Sequence, residues 1–342
     1  MPRALDEQTV VITGASGGIG RAAARAFAAH GARVVVAARR EQALEDVRRE
    51  CEERGGQALV APTDVRDPDA VDHLARRAVE HFGRIDTWVN NAAVTLFGLF
   101  EEIPGDVYRK VLETNLFGYL HGARAALPRF REQGEGVLVN VSLVVASAPQ
   151  PYTSAYVTSK TAIHGLTDCL RMELSLDRDD DHDIHVSHVM PASIDTPLFQ
   201  QAANFTGRAI KPMDPVYAPE RVAAAIVEVA QRPRAQVIVG PAGRFMRAER
   251  ALMPGLYIRT GARMVDRDHF QVRPAEPTEG NVFVPMPHHA GVHGGWRTNS
   301  NGKAGRAALL GALAAAAPVA AWAWWTGRLP GSRTSSLSRL GG

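Results

Sequence analysis

The sequence predicts a doubly wound parallel sheet of about seven strands with helices on both faces. Three observations carry that prediction. Short apolar, β-branched runs alternate strictly with helical stretches between Thr9 and Val239. A glycine cluster from Gly14 to Gly20 separates the first strand from the first helix. With 342 residues, 45% of them hydrophobic and 22% charged, the chain can bury a large core.

Each element follows from local chemistry. Residues 9–13 form a β-branched strand ending in the glycine cluster. Residues 21–30 read as a helix stopped by Gly31, a residue suited to a left-handed C-terminal cap. Residues 34–38 are the second strand, and residues 41–54 a helix closed by Gly55 and Gly56. A strand at 58–61, a helix at 69–82 and a strand at 85–90 follow. Residues 106–131 read as one long helix with a break expected near Pro128. A strand at 137–142, a helix at 153–176 and a strand at 185–190 complete the second half. A last helix at 219–231 and strand at 236–239 close the sheet.

The core unit is expected to span residues 1–245. Residues 246–305 read as an extension. In it, 244–264 form an amphipathic helical stretch interrupted at Pro254 and Gly255, and 274–305, rich in Pro, Gly and His, form an irregular linker. Residues 306–328 are a candidate transmembrane or interfacial helix. Residues 307–326 carry no charge, which is long enough to span hydrocarbon. Trp322, Trp324 and Trp325 gather at one end, as in an aromatic belt. An Ala-rich soluble helix is the alternative. Residues 329–342 read as a disordered tail.

Composition excludes several classes. The net charge is +3, and no compact basic run interleaved with aromatics points to nucleic acid. Cys51 and Cys169 are too few and too distant for a disulfide framework, so a reducing, cytoplasmic setting is expected. Residues 1–8 carry charges and no apolar run, so no signal peptide is expected.

Tyr156 and Lys160 stand four residues apart, which puts a phenol and an ammonium on one helix face, about 6 Å apart at Cβ. The nearby positive charge is expected to lower the phenol's pKa and make it a general acid/base. The glycine cluster lies where a phosphate-binding turn must lie, after a strand and before a helix. At the end of the second strand stands Ala38, followed by Arg39 and Arg40, where an acidic residue would select the unphosphorylated ribose. A guanidinium there suits a 2′-phosphate, so NADP(H) is expected over NAD(H).

Together these residues resemble the short-chain dehydrogenase/reductase family over roughly residues 7–240. The resemblance rests on Thr13-Gly14-Ala15-Ser16-Gly17-Gly18-Ile19-Gly20, Asp64-Val65, Asn90-Asn91-Ala92-Ala93, Asn115, Tyr156 to Lys160, and the stretch from Pro191 to Thr196. It implies a Rossmann-type fold. It also implies a cofactor site built from Gly14, Ser16, Gly17, Gly18, Ile19, Gly20, Arg39, Asp64, Val65, Asn91, Ala92, Tyr156, Lys160, Pro191, Ile194 and Thr196. By resemblance, Asp64 hydrogen-bonds the adenine amino group with Val65 beside the ring, and Asn91 and Ala92 line the adenosine side. Asn115 holds, through its backbone, a water that links Lys160 to solvent. Ile194 and Thr196 contact the carboxamide. Hydride transfer between NADP(H) and a carbonyl/alcohol pair follows, with homodimers or homotetramers packed through the 106–131 and 153–176 helices. A membrane tail would favour a lipophilic substrate.

One position departs from the family. Its catalytic serine stands thirteen residues before the tyrosine, where this chain has Leu143. Ser142 is one residue early and, by strand alternation, on the other face. Either a bulge re-aims Ser142, or Ser147, Thr153 or a water supplies the hydrogen bond, or the site lacks it. A nucleotide-binding protein with little or no turnover is therefore the rival reading. Ala192 stands where the family has glycine after Pro191. No metal site is expected, since His185 and His188 point to opposite strand faces. His288 and His289 read as solvated, Asp179 to Asp181 as a solvated loop, and Tyr152 as pocket-lining.

Overall fold

The computed structural model describes residues 2–144, 149–176, 182–241 and 250–297. Its strands in chain order are β1 (Thr9–Thr13), β2 (Arg33–Ala38), β3 (Gln57–Pro62), β4 (Thr87–Asn90), β5 (Leu96–Phe97), β6 (Glu135–Val141), β7 (Asp183–Pro191), β8 (Ala203–Asn204), β9 (Arg208–Ile210), β10 (Gln236–Val239) and β11 (Phe270–Pro274). The helices are α1 (Gly18–Ala28), α2 (Glu41–Glu52), α3 (Pro68–Phe82), α4 (Gly105–Leu112), α5 (Gly118–Gln133), α6 (Ser154–Leu174), α7 (Pro219–Gln231) and α8 (Pro254–Asp268).

Seven strands form the central sheet in the order β10-β7-β6-β4-β1-β2-β3. All its pairings are parallel. The chain winds outward from β1 to β3, returns past β1 to β4, and winds outward again to β10. The connections after β1 and β4 therefore leave in opposite directions, and a crevice opens at the carboxyl ends of those two strands.

Strand alternation feeds two cores. Val10, Ile12, Val34 and Val36 face α1 and α7, where they meet Phe27, Val222, Ile226 and Ala230. Val11 and Val35 face α3 and α5, where they meet Leu74, Ala75, Ala126 and Phe130. Burial on both sides explains why the strands read as continuous apolar runs. Each fully buried Phe or Leu here contributes about 1.5–3 kcal/mol.

The expected break in the 106–131 helix moves. Pro128 sits inside α5 without ending it. The irregularity is a π-helical segment, Glu113–Phe117, between α4 and α5. The helical run of the extension does break at its Pro-Gly pair: it stops at Met253 and restarts with Pro254 in the first turn of α8. Strand β11 then returns antiparallel to β9. Residues 275–297 hold no helix or strand, as their composition predicts, yet they are hydrogen-bonded onto the core unit along most of their length. The stretches 307–326 and 329–342, read above as a candidate membrane helix and a tail, lie outside the described residues. Among the described residues no helix is long and apolar enough to cross a membrane. Cys51 is buried, which pushes its thiol up to about 12, whereas Cys169 is exposed.

Candidate active site

The glycine turn takes its shape from contacts that exclude side chains. Gly14 has φ +68°, and a Cβ there would fall 2.7 Å from the Cα of Ala92. A Cβ on Gly20 would fall 2.3 Å from the Gly14 carbonyl, so α1 starts tight against the turn. Asn91 braces this approach. Its backbone N–H donates to Thr13 Oγ1 (3.0 Å), and its Nδ2 donates to the carbonyls of Thr13 (3.0 Å) and Gly14 (3.2 Å). Ser16, Gly17, Gly18 and Ile19 then face a cavity of about 680 Å³. Asn91 and Ala92 line the same cavity, so the side chain of Asn91 fixes the turn while its flank forms the wall.

Arg39 and Arg40 follow β2 directly and lie beside this cavity. Their guanidinium groups donate to backbone carbonyls of the extension. Arg39 Nη1 reaches Phe283 (2.9 Å) and Nη2 reaches Asn281 (2.7 Å). Arg40 Nη1 reaches Met286 (2.8 Å), and its Nη2 lies 3.5 Å from Ser16 Oγ. Asp64 is paired with Arg66, whose Nε bonds both carboxylate oxygens at 2.9 Å. Burial opposes ionisation of Asp64, but the hydrogen bonds from Arg66 and the charge of Arg39 hold its carboxyl below its ordinary range. Val65 tucks against Gly118, where a Cβ would collide at 2.7 Å, and its carbonyl pairs with His121 Nδ1 at 2.9 Å.

Tyr156 and Lys160 share one face in the first turns of α6, at 7% and 1% exposure. Lys160 Nζ donates to Tyr119 Oη (3.0 Å) and to the Val141 carbonyl (3.2 Å). Tyr119 Oη donates in turn to the same carbonyl at 2.6 Å. The ammonium lies 4.5 Å from the Tyr119 ring centre and 5.7 Å from that of Tyr156. Burial pulls Lys160 down to about 7 and pushes the Tyr156 phenol above its ordinary value. This reverses the expected lowering of the phenol's pKa. The whole pair is desolvated, so the lysine is itself easily discharged and lends the phenol little field. Tyr119, fully buried, is also raised by desolvation.

Asn115 sits in the π-helical segment with its side chain saturated. Its Oδ1 accepts from Val94 N (2.8 Å), and its Nδ2 donates to Val94 O (2.9 Å) and Ser159 Oγ (3.2 Å). Such segments open the helical hydrogen-bond ladder locally. Pro191, at the end of β7, together with Ile194 and Thr196, lines the far wall of the cavity.

The serine question has a geometric answer. The β6–β7 register is unbroken from Glu135 to Val141, and Ser142 N continues it onto the Val189 carbonyl at 2.9 Å. No bulge re-aims Ser142. Its hydroxyl lies 2.9 Å from His164 Nε2, whose ring centre lies 4.4 Å from that of His188 at a 38° tilt. Leu143 and Ser142 both line the cavity, but the Ser142 hydroxyl is engaged by His164. Of the substitutes, Ser147 lies outside the described residues. Thr153 lines the cavity, and its buried Oγ1 makes no protein hydrogen bond. Tyr152 turns away from its expected place. It has φ 65° and donates to Asp266 Oδ1 at 2.7 Å, outside the cavity wall. His185 pairs with Asp183 at 2.8 Å. Among the described residues no group of His, Cys, Asp and Glu could hold a metal ion. Tyr119, His164 and the carbonyls on Arg39 and Arg40 had no signal in the sequence, because each acts through a contact between distant segments.

One cavity thus joins a glycine turn at a helix start, two arginines, and a buried tyrosine–lysine pair at the reversal point of a doubly wound sheet. That combination defines a nicotinamide-dinucleotide oxidoreductase. Residues 8–206 match the short chain dehydrogenase family model, and the chain belongs to the short-chain dehydrogenase/reductase family. It is 33% identical over 326 residues to the uncharacterized oxidoreductase YxnA of Bacillus subtilis (strain 168), covering 93% of this chain and 90% of that one. The alcohol dehydrogenase of the archaeon Thermococcus sibiricus, complexed with 5-hydroxy-NADP, superposes with a TM-score of 0.58 at 27% identity, over 68% of this chain and 95% of that one. NAD+-bound xylitol dehydrogenase shares the fold with a TM-score of 0.62 at 22% identity, over 69% of this chain and 99% of that one.

Proposed function

We propose that the protein interconverts a lipophilic carbonyl and its alcohol with NADP(H), using Tyr156 as general acid/base. The observation that carries this reading is the placement of Tyr156 and Lys160 on the wall of the cavity that also holds the glycine turn and Arg39. The cavity fits a dinucleotide. Its length runs from Arg39 and Asp64 at one end, past Ser16 to Ile19, to Lys160, Ile194 and Thr196 at the other. When bound, the nicotinamide supplies or accepts the hydride.

The chain's own groups do the rest. Arg39 binds the 2′-phosphate in the manner its position after β2 suggests. At the N-terminus of α1 the Gly18 N–H donates to the Gly291 carbonyl, and the remaining amides of the turn would meet the pyrophosphate. Lys160, fixed by Tyr119 and the Val141 carbonyl, keeps one N–H that would be available to the nicotinamide ribose. In the reductive direction Tyr156 gives its proton to the carbonyl oxygen. The π-helical opening at Asn115 offers a backbone carbonyl for the water that refills the relay. Val94, Phe97, Val144, Phe199, Met213 and Met264 line the substrate end, and apolar walls of this kind favour a lipophilic substrate.

The test is NADPH consumption over a panel of aliphatic, cyclic and aromatic ketones and aldehydes, with Tyr156→Phe as control. Turnover that Tyr156→Phe reduces by about 10²-fold or more is expected. A second reading, a dinucleotide-binding protein without turnover, is favoured by Leu143 and by the pairing of Ser142 with His164. NADPH binding with no Tyr156-dependent rate on any substrate would establish it.

A further inference from the structure

We propose that residues 281–296 of the extension are a built part of the dinucleotide site, a strap that forms its outer adenosine wall and slows release of the bound nucleotide. The proposal rests on the NADP(H) reading above.

The strap is anchored at both ends. Val282 is fully buried among Val94, Leu96 and Ile103, and Val292 is buried among the α1 and α7 side chains. Polar contacts close the far end. Asp195 Oδ1 accepts from the backbone N–H groups of Gly294 (3.1 Å) and Trp296 (2.8 Å), and Trp296 Nε1 donates to the Thr196 carbonyl at 3.1 Å. Between the anchors the strap presents backbone carbonyls to cations of the site. Asn281 and Phe283 accept from Arg39, Met286 and His288 from Arg40, and Ala290 from Arg21 (2.8 Å). Gly291 O accepts from the N–H of Gly18, in the first turn of α1, at 3.0 Å.

Two arrangements would give such contacts: a plug that fills the nucleotide's place, or a wall that leaves room for it. The open cavity supports the second. Asn281, Pro285, Met286 and His289 line it together with Gly17, Arg39, Asp64 and Val65. The space therefore lies between the strap and the sheet edge, and the strap covers it without filling it. A guanidinium has five N–H donors in a fixed plane, and the strap uses two of those on Arg39. Those two bonds hold the plane still, and the remaining donors are free to meet a 2′-phosphate already oriented. Carbonyls suit this task. A carboxylate in their place would neutralise the arginine and repel the phosphate.

Two glycines allow the strap to be lifted at its ends; because the Gly294 change presses on Thr196, the Val282→Ala, Val292→Ala pair is the variant that leaves the nucleotide-facing groups untouched. A Cβ on Gly280, at φ +54°, would fall 2.3 Å from the Gln201 carbonyl, and one on Gly294 would fall 2.3 Å from the Thr196 carbonyl. The experiment uses the full chain carrying Gly280→Val and Gly294→Val together, and a milder Val282→Ala, Val292→Ala pair. Circular dichroism confirms that each variant keeps its sheet and helices. NADPH and NADH affinities are measured by equilibrium titration of nucleotide fluorescence, and release rates by stopped-flow displacement.

NADPH release at least tenfold faster in the glycine variant is expected, with a smaller acceleration in the alanine pair. The loss should be greater for NADPH than for NADH, because only NADPH meets the oriented Arg39. Unchanged release in both variants overturns the proposal. So does tighter NADPH binding in either, which would make the strap a competitor. If the unmodified chain binds neither nucleotide, the functional reading fails and takes the strap with it. If it binds NADPH while both variants behave like it, the strap proposal alone fails.

Discussion

Tyr119 is the group that most distinguishes the chemistry of this site. Its hydroxyl accepts from Lys160 and donates to the Val141 carbonyl, so it holds the ammonium in a fully buried place. It is a positioning residue in the proposed mechanism. With Lys160 at about 7 and Tyr156 raised, the phenol keeps its proton across ordinary pH and the lysine titrates first. Carbonyl reduction should therefore fall as pH rises through about 7, where the ammonium loses its proton. Tyr119→Phe removes an acceptor that favours the charged lysine. A hydrogen bond to a charged group is worth about 1.5–3 kcal/mol, or roughly one to two pH units. The fall should move to lower pH by that amount in a pH–rate profile, and an unmoved profile would show that Tyr119 only packs. Leu143→Ser tests the missing donor. A hydroxyl at that wall should raise kcat, approaching the 10²–10³-fold that one such hydrogen bond supplies. No gain would mean that another group, Thr153 foremost, already fills the role.

At the level of elements, the phosphate turn depends on a brace from the neighbouring strand. Asn91, just past β4, ties the carbonyls of Thr13 and Gly14 and fixes where α1 begins. Asn91→Ala leaves two carbonyls without these donors and lets the turn relax. The expected loss is about 1–3 kcal/mol of folding stability in a denaturant titration. Weaker dinucleotide binding should accompany it. Equal stability with weakened binding would mean that Asn91 meets the nucleotide and does not brace the turn. The π-helical segment is a second device at this scale. It lets Asn115 reach across to Val94 while α5 packs on the sheet and α4 packs against α6.

Across the whole molecule, the elements readable from sequence were those whose signal is local. Strand β1, strand β10 and helix α7 begin and end where their β-branched runs, prolines and flanking turn residues place them. The π-helical segment has no sequence signal, because its five residues keep the apolar spacing of a helix and the hydrogen-bond shift leaves no mark in composition. The Tyr156–Lys160 spacing was visible because both residues lie on one helix, whereas Tyr119 comes from another. The departure at Leu143 was visible, but the destination of Ser142 was not, since His164 meets it only through the packing of α6 on β6. The extension was least legible. It works through carbonyl oxygens, which every residue carries, so Pro, Gly and His content suggested a linker.

The bond from Arg39 to Phe283 joins residues 244 positions apart. A chain that emerges from the ribosome N-terminus first can pair its strands and seat Tyr156 and Lys160 well before Phe283 has been synthesised. At about 5–20 residues per second, the forty or so residues from β10 to Phe283 add several seconds. During that interval the nascent protein has its reactive pair but not the segment that covers Arg39 and Arg40. The order of synthesis thus makes the outer wall the last part of the site to be assembled.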